Sequence, residues 1–175
     1  MKNYKLIARL EGIIYDSQME FKGNPAWRLS NVECIQWEND NQVVELSVEK
    51  GTLTRDVVSH DGKYLMLVFR GNTEFAEPCN MAVYDMTGIL YRVVCAPFLT
   101  NHEMIERHGG RVDMQGEIIG CGSMKNKNGE DVMAVGIWFN EIARSQYVDC
   151  YRESREFNPE TGEMGEIISW ELPWR

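Results

Sequence analysis

The sequence predicts a predominantly antiparallel β fold, either a sandwich or a partly closed barrel, with about ten strands and one short helix. Three observations predict it. Some short runs alternate apolar and polar residues, other runs are Val- and aromatic-rich on both faces, and tight-turn residues separate them.

The first run is alternating: Tyr4, Leu6, Ala8 and Leu10 interleave with Lys5, Ile7, Arg9 and Glu11, as in a half-buried strand. A second strand is expected over Val32 to Glu38, with Asp40-Asn41 turning the chain into a third. There Val44, Leu46 and Val48 alternate with Glu45, Ser47 and Glu49, which places the carboxylates on the solvent side. The runs Tyr64–Phe69 and Val132–Phe139 are apolar on both faces, as central strands are, and Ile89–Val94 nearly so. Four turn signals lie between strand-like runs: His60-Asp61-Gly62-Lys63, Asp85-Met86-Thr87-Gly88, Asn128-Gly129, and Asn158 to Gly162. Gly supplies positive φ, and Asp or Asn bonds its own downstream backbone, so each signal predicts an antiparallel hairpin. One helix is expected from Thr100-Asn101-His102-Glu103, read as a capping box with Thr100 capping and Glu103 reaching back, closed by Gly109-Gly110.

Size and composition bound the functional classes. The 175 residues fit a single β-rich domain, 1–175, large enough for a core without metal or disulfide staples. A net charge of −9 argues against nucleic-acid binding, which requires clustered Lys and Arg. No run of about 18 apolar residues predicts a membrane span. The start, MKNYKLIARLEG, is interrupted by charge where a signal peptide is continuously apolar, so a cytoplasmic location is expected. Cys34, Cys79, Cys95, Cys121 and Cys150 are odd in number and form no C-x-x-C, so buried, reduced thiols are expected.

Two phrases, Ser59–Phe69 and Val83–Val94, resemble strand-turn-strand pieces of propeller blades, although no Trp-Asp dipeptide follows at blade spacing. A propeller-like structural module is therefore one alternative.

Catalytic and metal motifs are not found. His102-Glu103 departs from H-E-x-x-H because the next His is His108, on a different side of a helix. His60-Asp61 occupies a tight turn, with no nucleophile nominated beside it. Gly120-Cys121-Gly122-Ser123 lacks the final Gly of a nucleophile elbow and the Gly-Lys-Ser/Thr of a phosphate loop. It is expected to form a bend or bulge leading into a loop from Met124 to Glu130. Asn126-Lys127-Asn128-Gly129 lacks the acidic ligands of a calcium loop. No catalytic residue, metal ligand or cofactor is assigned.

The informative feature is where the charge sits. Val32 to Glu49 carries five acids and no base, and Asp149 to Glu171 carries seven acids against Arg152 and Arg155. Each segment is −5, and the remainder of the chain is +1. Concentrated charge of one sign steers encounter with basic partners. Trp37 and Trp170 lie inside the two acidic segments, which matches the aromatic anchor and charged rim of a contact surface and, for either Trp taken alone, a core residue on an amphipathic strand, while Trp138 reads as core.

The predicted partner-binding residues are Trp37, Glu38, Glu45, Glu49, Glu153, Glu156, Glu160 and Glu163, with both strips on a common exterior. The expected partner is a basic protein, and the expected function is non-enzymatic binding. In bulk the chain is similar to bacterial immunity proteins, which neutralise a toxin: small, acidic, and without catalytic signature or export signal. No residue motif carries that resemblance, so no positions transfer from it. The main alternative is a β-barrel enzyme or small-molecule binder with a pocket in the barrel mouth.

Overall fold

The computed structural model describes residues 1–10, 13–17, 29–107, 109–139 and 151–172. These form twelve strands, a 3-10 turn (Leu29–Asn31) and one short helix, α1 (His102–Arg107). All of the strand pairings are antiparallel. The predicted β class is what the chain adopts, as a sandwich of sheets.

The strands make three four-stranded sheets. The first contains β1 (Lys2–Leu10), β2 (Ile13–Asp16), β3 (Val32–Asn39) and β4 (Gln42–Ser47), in the order β2-β1-β3-β4. The central sheet is a meander of β5 (Leu53–Val58), β6 (Tyr64–Phe69), β7 (Met81–Asp85) and β8 (Leu90–Val94). The third is a meander of β9 (Glu117–Lys125), β10 (Asp131–Phe139), β11 (Tyr151–Phe157) and β12 (Met164–Glu171).

The layer order follows from β6. Tyr64, Met66 and Val68 belong to a cluster shared with Ile118, Val135, Ile137 and Phe139 of the third sheet. Leu65, Leu67 and Phe69 belong to another, shared with Leu6, Ile35 and Trp37 of the first. Alternate residues of a strand point to opposite faces, so the first and third sheets cover opposite faces of the central one. This is why Tyr64–Phe69 is apolar throughout: all six residues are buried.

The predicted turns close the hairpins. His60–Lys63 joins β5 to β6, Asp85–Gly88 joins β7 to β8, Asn126–Gly129 joins β9 to β10, and Asn158–Gly162 joins β11 to β12. Asp40 and Asn41 both have positive φ (48° and 62°), the two-residue turn whose twist suits the β3–β4 hairpin.

Five expectations are corrected. Ile89–Val94 is not a buried central strand, because β8 lies at a sheet edge and Ile89, Leu90, Tyr91 and Val93 are exposed. The run Gly120–Ser123 continues β9. The register shift sits one residue earlier, where Gly136 and Ile137 pair with Gly120 and Ile118 and leave Ile119 unmatched. The helix is capped by Asn101, whose Oδ1 accepts from the Met104 amide at 3.3 Å. The Thr100 hydroxyl instead accepts from Arg155 at 2.6 Å, and Glu103 pairs with Arg107. Cys79 and Cys95 form a disulfide across 16 residues of sequence, while Cys34 and Cys121 are free thiols and Cys150 lies outside the described residues. Finally, the two blade-like phrases are consecutive hairpins of one sheet, not pieces of successive blades. His108, Trp27 and Trp174 also lie outside the described residues.

Candidate partner-binding surface

Because the acidic segments belong to the first and third sheets, they lie on opposite outer layers rather than on a common exterior. The two strips therefore have to be taken one at a time.

On the first sheet, bases distant in sequence offset part of the strip. Glu38 lies opposite Lys2, and Gln36, opposite Lys5, donates its side-chain amide to Glu45. Lys5 also pairs with Asp16 at 3.4 Å, and Lys50 with Glu33 at 2.9 Å. Glu49 is exposed but occupied, accepting from the Thr73 amide and hydroxyl at 2.9 Å each. Sequence distance hid this compensation, since the bases come from β1 and the β4–β5 connection.

Trp37 is buried, 1 % exposed, with its indole N–H donating to the Met86 carbonyl at 2.8 Å. It belongs to the core between the first and central sheets and is not an exterior anchor. The cause is parity: Ile35 and Trp37 share the inward face of β3, while Glu38 is on the outward one.

Glu153 is also withdrawn. On β11 the inward residues are Tyr151, Glu153, Arg155 and Phe157, so a carboxylate and a guanidinium enter the interior. Arg155 Nε donates to Glu153, and Tyr151 Oη donates to its other oxygen at 2.7 Å. Asn101 donates to Tyr151 Oη at 3.0 Å, completing a polar chain from β11 to the start of α1. Burial, followed by the Glu153 carboxylate, holds the Tyr151 phenol well above its usual range.

Glu156 and Glu163 line a common part of the end of the third sheet formed by the β9–β10 and β11–β12 turns, and Glu160 is an exposed residue of the β11–β12 turn. Glu130, Asp131 and Glu166 join them. Glu130, Glu156 and Glu166 line one side of a cleft of about 450 Å³, with Lys127, Asn126 and Ile167. Asp131, Glu156 and Glu163 line an adjoining cleft of about 390 Å³, with His60, Phe157 and Pro159. Against these carboxylates stand Lys125, paired with Asp131 at 3.0 Å, Lys127, paired with Glu166 at 3.4 Å, and Arg92, which donates to the Glu160 carbonyl at 3.2 Å. Glu156 is common to both clefts and packs against Gly165. An acidic excess therefore survives at this end, where fixed turns hold the carboxylates. Asn126 and Asn158 brace those turns, each accepting two backbone N–H groups.

The outer face of the third sheet carries a second feature that the sequence reading missed. Gly120, Gly122 and Gly136 leave it bare, and Arg152 lies over the Trp138 ring at 5.4 Å. Trp138 is thus half-buried on an outer face and not core. Trp138 Nε1 and Arg152 Nε have no hydrogen-bond partner among the described residues. The alternation of Trp138 with inward Ile137 and Phe139 was the available signal.

The clefts are open and lined by carboxylates, amides and ammonium groups. Burial pushes the Cys121 thiol up to about 12, and burial followed by Glu45 raises Cys34, so neither is a ready nucleophile near neutrality. No group of three or more His, Cys, Asp or Glu able to hold a metal occurs among the described residues. The sheets stack and do not close, so a barrel-mouth pocket has no place among those residues.

No protein family matches the sequence, and no curated protein matches it. A solved structure does share the fold. One chain of the complex of Tne2 with Tni2 superposes with a TM-score of 0.57 at 15 % identity, over 95 % of this chain and 96 % of that one.

Proposed function

We propose that this chain is a non-enzymatic binding protein of the cytosol that recognises a basic protein through the acidic end of its third sheet. In its most concrete form it is an immunity protein that neutralises a toxin. The observation that carries this reading is the end-to-end fold likeness to a chain solved as half of a two-protein complex. Convergence of Glu156 and Glu163 with Glu130, Asp131 and Glu166, with Glu160 on the adjoining turn, supports the sign of the partner. The mechanism is occlusion. Carboxylates held on braced turns pair with Lys or Arg around the partner's site and raise the on-rate, while nearby apolar side chains slow dissociation.

The test is binding of the wild-type chain and two charge-reversal variants to the protein encoded by the adjacent reading frame. Glu156→Lys with Glu160→Lys and Glu163→Lys should weaken affinity by about tenfold or more, with most of the loss reproduced by raising salt. Glu38→Lys with Glu45→Lys, on the compensated first sheet, should change it by less than about threefold. Equal effects of the two variants, or none from the first, would remove the proposal. Alkylation of thiols in cells tests the compartment: a reducing cytosol keeps Cys79 and Cys95 open, an oxidising one closes the bridge seen here.

A further inference from the structure

We infer that β8 is a docking strand: an extended, basic segment of the partner protein adds to the central sheet along its open edge. This deepens the function proposed above and rests on it.

The strand's composition sets it apart. Ile89 (65 % exposed), Leu90 (39 %), Tyr91 (46 %) and Val93 (43 %) are consecutive or nearly so, on the edge of a sheet that is otherwise covered on both faces. Among the described residues no other edge strand presents such a run; β2 and β4 each expose one large apolar residue, Ile14 and Val43. An edge strand leaves one row of N–H and C=O groups unused, and soluble proteins usually guard such an edge with charged side chains, proline, a bulge or a covering loop; β8 has the Tyr91 bulge, and its one charge, Arg92, is turned to the β11–β12 turn. β8 contains neither lysine nor proline.

The edge is also stiff enough to serve as a template. Leu90 pairs with Tyr84, and Arg92 with Val83, leaving Tyr91 as a bulge residue. The Tyr91 ring rests 5.2 Å from that of Tyr64, and Arg92 donates to the Glu160 carbonyl at 3.2 Å. Arg92, the only base on the strand, is thus committed to the β11–β12 turn.

Charge complementarity selects the occupant. The Arg92 contact places the β11–β12 turn, with Glu160 and Glu163, alongside β8. Asp61, on the β5–β6 turn, is already paired with Lys63 at 3.3 Å. An added strand alternating apolar residues with Lys or Arg would bury its apolar side against Leu90 and Val93. Its cations would lie toward Glu160 and Glu163. Main-chain hydrogen bonds supply affinity in strand addition, and side chains supply the choice of sequence.

The experiment titrates the 15N-labelled full chain with two heptapeptides, one alternating Val with Lys and one alternating Val with Glu. The Val/Lys peptide should protect amides within Ile89–Val94 and shift those amides together with the ones of the neighbouring β11–β12 turn. It should bind at least tenfold tighter than the Val/Glu peptide, and weaken as salt rises. Leu90→Lys with Val93→Lys, on an exposed edge, should keep the unfolding midpoint while abolishing both this binding and binding of the native partner. Perturbations that spare β8, or equal binding of the two peptides, would overturn the inference. A dimer of the wild-type chain that the double variant dissociates would overturn it in favour of a second copy as occupant. A native partner that tolerates the β8 variant yet is lost on reversal of Glu156, Glu160 and Glu163 would sink the docking strand and leave the proposed function standing.

Discussion

Asn80 and Ile118 exchange two hydrogen bonds across the gap between the central and third sheets. Asn80 Nδ2 donates to the Ile118 carbonyl at 2.8 Å, and the Ile118 amide donates to Asn80 Oδ1 at 3.2 Å. The same Nδ2 donates to the Phe69 carbonyl at 2.7 Å, so one fully buried amide joins β6, the approach to β7, and β9. Backbone groups that no ladder pairs are thereby satisfied inside the core.

Asn80→Leu is expected to lower stability by about 2–4 kcal/mol, because it strands an N–H and two carbonyls at no gain in fit. Urea denaturation followed by Trp fluorescence checks it. An effect below about 0.5 kcal/mol would mean that water replaces the amide.

Much of the fold was legible because it is local. Asp85-Met86-Thr87-Gly88 and Asn158 to Gly162 announce their hairpins through residues that bond their own backbone. Tyr64–Phe69 announces a strand covered twice. What was not legible depends on registers between distant strands. Nothing near Glu38 in sequence says that Lys2 will lie opposite it, and nothing near Cys79 says that Cys95 will meet it. The candidate surface failed for a related reason. Alternation gives two faces without saying which is inner, and on β11 the inner face takes Glu153 and Arg155 while Glu156 goes outward. Trp37 followed the same rule inward, leaving only the acids near the hairpin ends as a shared exterior group.

Glu153 and Arg155 make the second prediction. The Glu153 side chain is fully buried and that of Arg155 is 9 % exposed, so removing one partner leaves a charge without compensation. Glu153→Ala should destabilise by about 3–5 kcal/mol. Replacing both residues with Met should cost less than the single change, because no buried charge then remains. A double variant as unstable as the sum of the singles, measured in the same urea series, would contradict this.

The turns that begin with aspartate predict acid sensitivity. At Asp85, partial burial pushes the carboxyl up, but bonds from the Thr87 hydroxyl and the Thr87, Ile89 and Gly88 amides outweigh it and leave it below its ordinary value. At Asp61 the Ser59 hydroxyl, at 2.6 Å, is the largest cause of a shift in the same direction. A carboxyl lowered in the folded state stabilises above the unfolded value, roughly pH 4, and loses that contribution as pH falls through the folded one. The difference in melting temperature between wild type and Asp85→Ala should therefore be constant from neutrality to about pH 5 and shrink below pH 4. A gap that widens on acidification would reverse the sign.

The bridge between Cys79 and Cys95 gives the last prediction. It spans the start of β7 and the end of β8, joining chain segments 16 residues apart. Closing a loop of about that length restricts the unfolded chain by roughly 3 kcal/mol. Cys79→Ser with Cys95→Ser should therefore lower stability by about 2–4 kcal/mol under oxidising conditions and by nearly nothing in excess reductant, where wild type loses the same amount. The loss should concentrate at one edge. The bridge pins the far end of β8, whereas β5 and β6 are held by core contacts on both faces. Amide exchange should thus accelerate over Leu90–Val94 before it does over Tyr64–Phe69. Uniform acceleration across the central sheet would assign the bridge to global stability alone.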